Sequence, residues 1–398
     1  LVNTILWNNS SYEIKLTGES DTITVAYSDV LGGQDGIITN DSGIVIWGDG
    51  NVDIDPLFVD ANSGDYHLSD FSPVISAATA EVTIDGVSYT APTTDIEGNP
   101  RPNPAGTVPD MGAYENENGA GPYNGPVWYV DASNDFPYAN GAPGSPYFTI
   151  AQGISSASDG ETVSVAAGTY VENINFNGKN IAIIGEDPET TIIDGNQSER
   201  VVSFLNGETS SAVLENFTLT NGLGGLAISN SSPTLNRLRI MGNSTDSHGG
   251  GINLSNSSPK ISNVLIANNT GEPGGGLNID QSHPQISNTN IVNNYGSGGI
   301  LVNAGSTPDF VNCVLGNNQG DEIYINPDVD PSTVDISYSN ILGDTVGFVI
   351  KNDNGSVNWG SGIIDVDPVF VDSANGNYHV LASSQLINAG HPDSLDSD

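Results

Sequence analysis

The sequence is short of positive charge, of sulfur and of long apolar runs. Of its 398 residues only 8 are Lys or Arg, against 48 Asp and Glu, for a net charge of −40 at pH 7. So acidic a surface repels phosphate backbones and anionic headgroups, whose recognition depends on Lys and Arg, so no nucleic-acid partner is expected. A single cysteine, Cys313, rules out a disulfide within the chain. No stretch approaches the ~20 apolar residues of a membrane helix, and no membrane insertion is expected. With no apolar leader and no initiator methionine, Leu1 is read as the start of a mature or excised fragment. These deficits suit an extracellular or cell-surface setting, salty and rich in divalent ions.

What the chain has instead is repetition. From Gly249 to Asn318 it reads GGGINLSNSSPKISNVLIANNTGEP, then GGGLNIDQSHPQISNTNIVNNYGS, then GGILVNAGSTPDFVNCVLGNN. Pro233, Pro259, Pro284 and Pro308 mark the register at spacings of 26, 25 and 24 residues. Two residues after each proline stand Leu235, Ile261, Ile286 and Phe310, and seven after stand Ile240, Ile266, Ile291 and Leu315. Five after come Leu238, Val264, Thr289 and Cys313, which places the cysteine inward as a small buried hydrophobe. Short runs facing alternately in and out have the period of a strand. Four after the proline the series is Arg237, Asn263, Asn288, Asn312, and ten after it is Asn243, Asn269, Asn294, Asn318. Stacked amides can hydrogen-bond along such a pile. A period in the mid-twenties with glycine corners predicts an all-β fold, a parallel β-solenoid whose coils bury their apolar sides only against neighbouring coils.

The GG(I/L)xL and (I/F)xNxxIxNN wording resembles the right-handed parallel β-helix repeat proteins of the pectate-lyase-like superfamily. Right-handedness is what that resemblance implies; the period does not give it. The family's lyases cleave acidic polysaccharides by removing the proton beside a uronate carboxylate, which needs a cation and a base. No catalytic motif of theirs matches this chain residue by residue, so none of their catalytic roles carries over.

The ends of the chain echo each other. NTILWNNSSYEI from Asn3 resembles NCVLGNNQGDEI from Asn312, Tyr27-Ser28-Asp29 matches Tyr338-Ser339-Asn340, Trp47 matches Trp359, and DIDPLFVDANSGDYHL from Asp53 matches DVDPVFVDSANGNYHV from Asp365. Residues 1–115 are therefore read as the C-terminal part of a first β-helix module, and 116–126, rich in Gly, Asn and Pro, as a linker. Residues 127–398 are read as a second module, truncated at its C-terminal end. The first module's TDIEGNPRP and DMGAYE wording, Thr94–Pro102 and Asp110–Glu115, resembles a closing element of β-helix proteins. Near 149–159, Ile150, Ile154 and Ala157 at helical spacing behind Thr149 predict a short capping helix, with Gly160 beyond its end.

Three sets of residues are candidates for chemistry. Arg237, Arg239 and Lys260, with His248 and His283 near coil corners and Lys179 and Arg200 elsewhere in the second module, are the only approach to a catalytic cluster; the alternative is solvent-facing cations softening an acidic surface. Asp53, Asp55 and Asp60, repeated as Asp365, Asp367 and Asp372, supply hard oxygens of the kind Ca2+ takes, although aspartates before Pro and Gly also initiate turns. The run Asp393, Asp396 and Asp398 is a further acidic stretch. Tyr12, Trp47, Tyr66, Tyr295, Tyr324, Trp359 and Tyr378 could stack on sugar rings; the two tryptophans beside the DxDP elements read better as packing anchors. Asn-x-Ser sites such as Asn230 and Asn256 follow from Asn/Ser-rich turns. The expectation is an extracellular, tandemly repeated β-helix acting as a non-catalytic surface, adhesive or fibre-forming structural protein, with further copies of its module and polysaccharide as its candidate partners. The alternative is a polysaccharide lyase or glycoside hydrolase acting on acidic polysaccharides.

Overall fold

The computed structural model describes the chain except residues 19–20, 40–42, 71, 118–122, 135–138, 144, 297, 327–329, 344–347, 351–354 and 392–398. Part of the linker and the acidic run Asp393, Asp396 and Asp398 lie outside the described residues. The chain divides into two compact units, Leu1–Asn124 and Gly125–Asp398.

The second unit is a parallel β-solenoid. Its larger sheet has 16 strands and its smaller one 8, with every pairing in both parallel. The expected columns all point inward. Leu235, Ile261, Ile286 and Phe310 pair in register, as do Ile240, Ile266, Ile291 and Leu315, and all eight are at most 2% exposed. Leu238, Val264, Thr289 and Cys313 fill the space between them, also buried. There burial pushes the Cys313 thiol up to about 12, so it packs as a hydrophobe. Between the two half-strands of each coil the backbone bends at Arg237, Asn263, Asn288 and Asn312, with φ of 50, 56, 48 and 58°. Asparagine tolerates that left-handed region better than most residues, hence its recurrence there.

Two hydrogen-bonded ladders run along the coils. Asn269 donates from its backbone N and from Nδ2 to Asn294 Oδ1 at 3.0 and 3.1 Å, and also from Nδ2 to Ile240 O at 2.8 Å. Asn243 and Asn294 repeat the pattern, and Glu322 ends the column by accepting from Asn318. At another corner the backbone N of Ser231, Ser257, Ser282 and Ser306 each donates to the side-chain Oγ of the next serine in the column, that of Ser306 to Ser332. The glycine motif follows from the asparagine ladder. A Cβ on Gly276 would stand 2.9 Å from both Asn294 Nδ2 and Gly299 O, so the backbone there must stay bare.

The helix occupies Ile150–Ser156, slightly shorter than expected, and is the only α-helix among the described residues. Thr149 and Gln152 form a reciprocal capping box. Ile150 and Ile154 are buried, and Gly153 lets the helix lie against the first strands, since a Cβ there would be 2.6 Å from Val163 Cγ1. Lys179 Nζ donates to the carbonyls of Ile154, Ser155 and Ala157 at 2.6, 2.9 and 2.7 Å, closing the helix C-terminus.

The first unit holds three parallel strand pairs, Ile5–Leu6 with Asp29–Val30, Lys15–Leu16 with Ile38–Thr39, and Thr22–Val25 with Ile44–Trp47. An antiparallel hairpin, Phe58–Asp60 with Asp65–Leu68, follows. The second unit ends in the same way, on the hairpin Phe370–Asp372 with Asn377–Val380. The likeness extends to single bonds. Asn3 Oδ1 accepts from Thr79 N as Asn312 Oδ1 accepts from His391 N, and Ser72 Oγ donates to Pro56 O as Ser384 Oγ donates to Pro368 O. The first unit also folds its Thr94–Glu115 segment around a buried Arg101–Glu115 ion pair, with Arg101 Nη2 on Gly112 O and Tyr114 O, both at 3.1 Å.

Ile266 faces the core, whereas its neighbour Leu265 is half-buried against the C-terminal hairpin. An uncompensated carboxylate at Ile266 should cost about 4 kcal/mol. Leu265→Asp should cost about 1–2 kcal/mol, by loosening the hairpin alone. Denaturant melts of the two variants check this, and equal losses would contradict the strand phase.

Candidate functional site

The C-terminal hairpin of the second unit folds back on the flank of its own coils. Tyr378 carries that contact. It is 6% exposed, packs with Ala267 and Val292, and receives a hydrogen bond on its hydroxyl from Asn293 Nδ2 at 3.1 Å. Among the aromatics read as exposed, Tyr378 is thus an exception, because the hairpin turns its ring inward. Arg239 ties the hairpin down from the other side, pairing with Glu189 and donating from Nη2 to Gly376 O at 3.2 Å.

Between hairpin and coils a groove of about 540 Å3 remains. Arg237, Asn263 and Asn288 line it along the bend column, facing Glu189, Tyr378 and His379. Arg237 is the exception in that column: where the next coils place asparagine, it holds a left-handed backbone with an exposed guanidinium that has no hydrogen-bond partner among the described residues. The groove therefore offers one free cation, a row of amides and a histidine. That array can orient a polar ligand by hydrogen bonding, but Glu189 already neutralises the second arginine.

The other cationic candidates do not join it. Lys260 is exposed on the neighbouring strand and is not among the residues lining the groove. His283 Nδ1 bonds to Thr307 Oγ1 at 2.7 Å, on the serine-ladder side of its coil. His248 contributes its carbonyl to Arg200 Nη2 at 2.8 Å, while Arg200 Nη1 reaches Gly249 O at 2.6 Å; burial lowers the Arg200 pKa to about 10. His379 was not singled out by the sequence, although its place in the repeated YH pair of the hairpins marks it.

The six aspartates are engaged in turns. Asp53 Oδ1 accepts from Gly32 N and Asp365 Oδ1 from Gly343 N, both at 3.0 Å. Asp55 and Asp367 accept from Leu57 N and Val369 N, both at 2.9 Å. Asp60 and Asp372 cap the one-turn helices Ala61–Ser63 and Ser373–Asn375. Among the described residues no three His, Cys, Asp or Glu side chains converge to hold a metal ion. Of the remaining aromatics, Trp47 packs on the first unit's core, Tyr12 lies 5.2 Å from Lys15 Nζ, and Tyr66 and Tyr295 are exposed.

The family model described as "Right handed beta helix region" matches residues 190–328, and the fold is a right-handed parallel β-helix. No curated protein matches the sequence. Solved structures similar to the chain include a pectin methylesterase from carrot, at 14% identity and a TM-score of 0.41 over 61% of this chain and 89% of that one. The Escherichia coli protein YbhC is similar at 14% identity and a TM-score of 0.34 over 59% and 84%. Pectate lyase Pel9A is similar at 13% and 0.32 over 67% and 92%. Likeness at this level bears on no individual residue of the groove.

Arg237→Asn restores the amide of the bend column and should leave stability unchanged or raise it by up to about 1 kcal/mol. Arg239→Ala releases the hairpin and should cost about 1 kcal/mol. Thermal melts of both variants check the assignment, and it fails if Arg237→Asn is the more damaging.

Proposed function

We propose that this chain is a non-catalytic, extracellular β-helix that serves as a structural surface element, associates with further coils of its own kind, and offers a carbohydrate ligand the groove beneath its C-terminal hairpin. One observation carries the reading. The hairpin of the first unit repeats that of the second, Ser72 Oγ on Pro56 O as Ser384 Oγ on Pro368 O, yet Tyr66 is 50% exposed where its counterpart Tyr378 is 6% exposed and packs with Ala267 and Val292. An uncovered ring at a matching place favours a partner built like the coils that cover it in the second unit.

The cations support the absence of turnover. Lys179, Arg101, Arg200 and Arg239 all donate to backbone carbonyls, and only Arg237 faces the groove unpaired among the described residues. A lyase would be expected to bring a neutralising cation and a base together over one groove. Arg237 beside His379 keeps that second reading, a polysaccharide lyase or hydrolase, within reach of experiment.

Leu1 corresponds to Phe310, so fusing a copy of residues 257–309 ahead of Leu1 supplies the coils whose Ala267 and Val292 cover Tyr378 in the second unit. This chain should melt several degrees higher in its Leu1–Asn124 transition, with Tyr66 shielded from chemical iodination. An unchanged melt and an equally reactive Tyr66 would remove the association reading. Unsaturated product from an acidic polysaccharide, lost in Arg237→Ala, would replace the structural reading with the catalytic one.

A further inference from the structure

The two units contain the same buried cage, and it holds an acid in one and an amide in the other. Asp29 is fully buried, pairs in register with Ile5 and bridges to Val52; its Oδ1 accepts from Ile54 N at 3.2 Å. At the matching place Asn340 is 2% exposed, pairs with Val314 and bridges to Ile364; its Oδ1 accepts from Val366 N at 2.9 Å. In each cage the second side-chain atom, Asp29 Oδ2 or Asn340 Nδ2, is enclosed without a hydrogen-bond partner. Nδ2 is a donor, whereas an ionised Oδ2 only accepts. One cage geometry serves both side chains if Asp29 carries a proton, its Oδ2–H standing where the amide has N–H.

The charges around Asp29 act in the same direction. Asp53 and Asp55, from the segment that follows the Val52 bridge, both face it, and the Ile5–Leu6 strand on its other side brings no charge. Asp53 and Asp55 are held in place by their bonds from Gly32 N and Leu57 N. Ionising Asp29 would add a third, fully buried carboxylate beside the exposed Asp53 and the half-buried Asp55. Nor does the cage read as a cation site, since its twin presents an amide nitrogen at the same point.

We propose that Asp29 is a proton-dependent latch of the first unit: neutral, it seats the 52–57 turn against the Asp29–Val30 strand as Asn340 does permanently in the second unit, and ionised, it loosens that turn. Burial, reinforced by Asp53 and Asp55, raises the Asp29 pKa to about 7. In the unfolded chain the group loses its proton near the ordinary value of about 3.9. Its stabilising contribution is therefore complete below that value and is lost as the pH rises through about 7. The loss amounts to about a thousand-fold in the unfolding equilibrium of the first unit. Asp110, buried in the same unit between Glu115 and Arg101 and raised to about 6, adds a slope of its own. Reciprocal exchange separates the two.

The test is scanning calorimetry of the full chain at pH 4.5 and pH 8 and fixed ionic strength, for the parent, Asp29→Asn and Asn340→Asp, with the exposed Asp85→Asn controlling for one unit of charge. Asp29→Asn should raise the melting temperature of the first unit at pH 8 and leave it unchanged at pH 4.5. Asn340→Asp should install the same acid preference in the second unit. Carbon NMR of the side-chain carboxyls should show one resonance, absent in Asp29→Asn, titrating near 7. The latch is overturned if that resonance titrates near 4, if Asp29→Asn fails to fold or keeps the parent's pH dependence, or if Asn340→Asp is equally harmful at both pH values.

Discussion

Coil-to-coil hydrogen bonding through buried asparagines is the constraint on which the second unit depends. Backbone pairing alone leaves each corner of a coil with polar groups shut away from water, and an unsatisfied buried group costs about 1–3 kcal/mol. Asn269 resolves this by touching three coils at once: it receives from Asn243, donates to Asn294, and donates back to Ile240 O. The amides stay in register although successive ones stand 26, 25 and 24 residues apart, so the length of the coil varies without breaking the column, and bare glycines such as Gly276 are needed for the amides to fit. The serine ladder does the same at a second corner, and each column ends on a carboxylate, Glu208 for the serines and Glu322 for the asparagines.

With 48 acids and 8 bases the chain cannot distribute ion pairs over its surface, and four of its cations are placed where a carbonyl cluster or a hairpin needs closing. Lys179 closes the helix, Arg200 a glycine corner, Arg101 the Thr94–Glu115 segment, and Arg239 the C-terminal hairpin. Arg237 departs from that use. It stands unpaired among the described residues, in a backbone conformation that suits asparagine better, and faces the groove.

Much of the fold was legible in the residues because a solenoid writes its contacts periodically. The proline register located the inward columns at Leu235, Leu238 and Ile240 and the asparagine pile at Asn243, and the structure places all of them as read. The serine column was equally periodic, two residues before each proline, but serine is so common in these turns that its burial carried no compositional signal. The groove was half legible. Arg237 and Arg239 stand together as their spacing on one strand requires, whereas His379 and Tyr378 reach them only because a hairpin more than a hundred residues later folds back, a contact no local pattern encodes. The cage around Asp29 was visible as an alignment of Tyr-Ser-Asp with Tyr-Ser-Asn, but the difference between acid and amide gains meaning only once both are seen to be buried.

The central claim is that buried amide ladders, rather than the exposed asparagines of the bend, hold successive coils in register. Denaturant unfolding of Asn294→Ala and Asn288→Ala, two residues of one coil, tests it most directly. Asn294→Ala strands the backbone N–H of Asn269 inside the protein and removes the Nδ2 bonds to Ile266 O and Asn318 Oδ1, and should cost about 3 kcal/mol or more. Asn288→Ala should cost about 1 kcal/mol, chiefly from the left-handed backbone it leaves behind. Equal losses, or a greater loss at Asn288, would contradict the account.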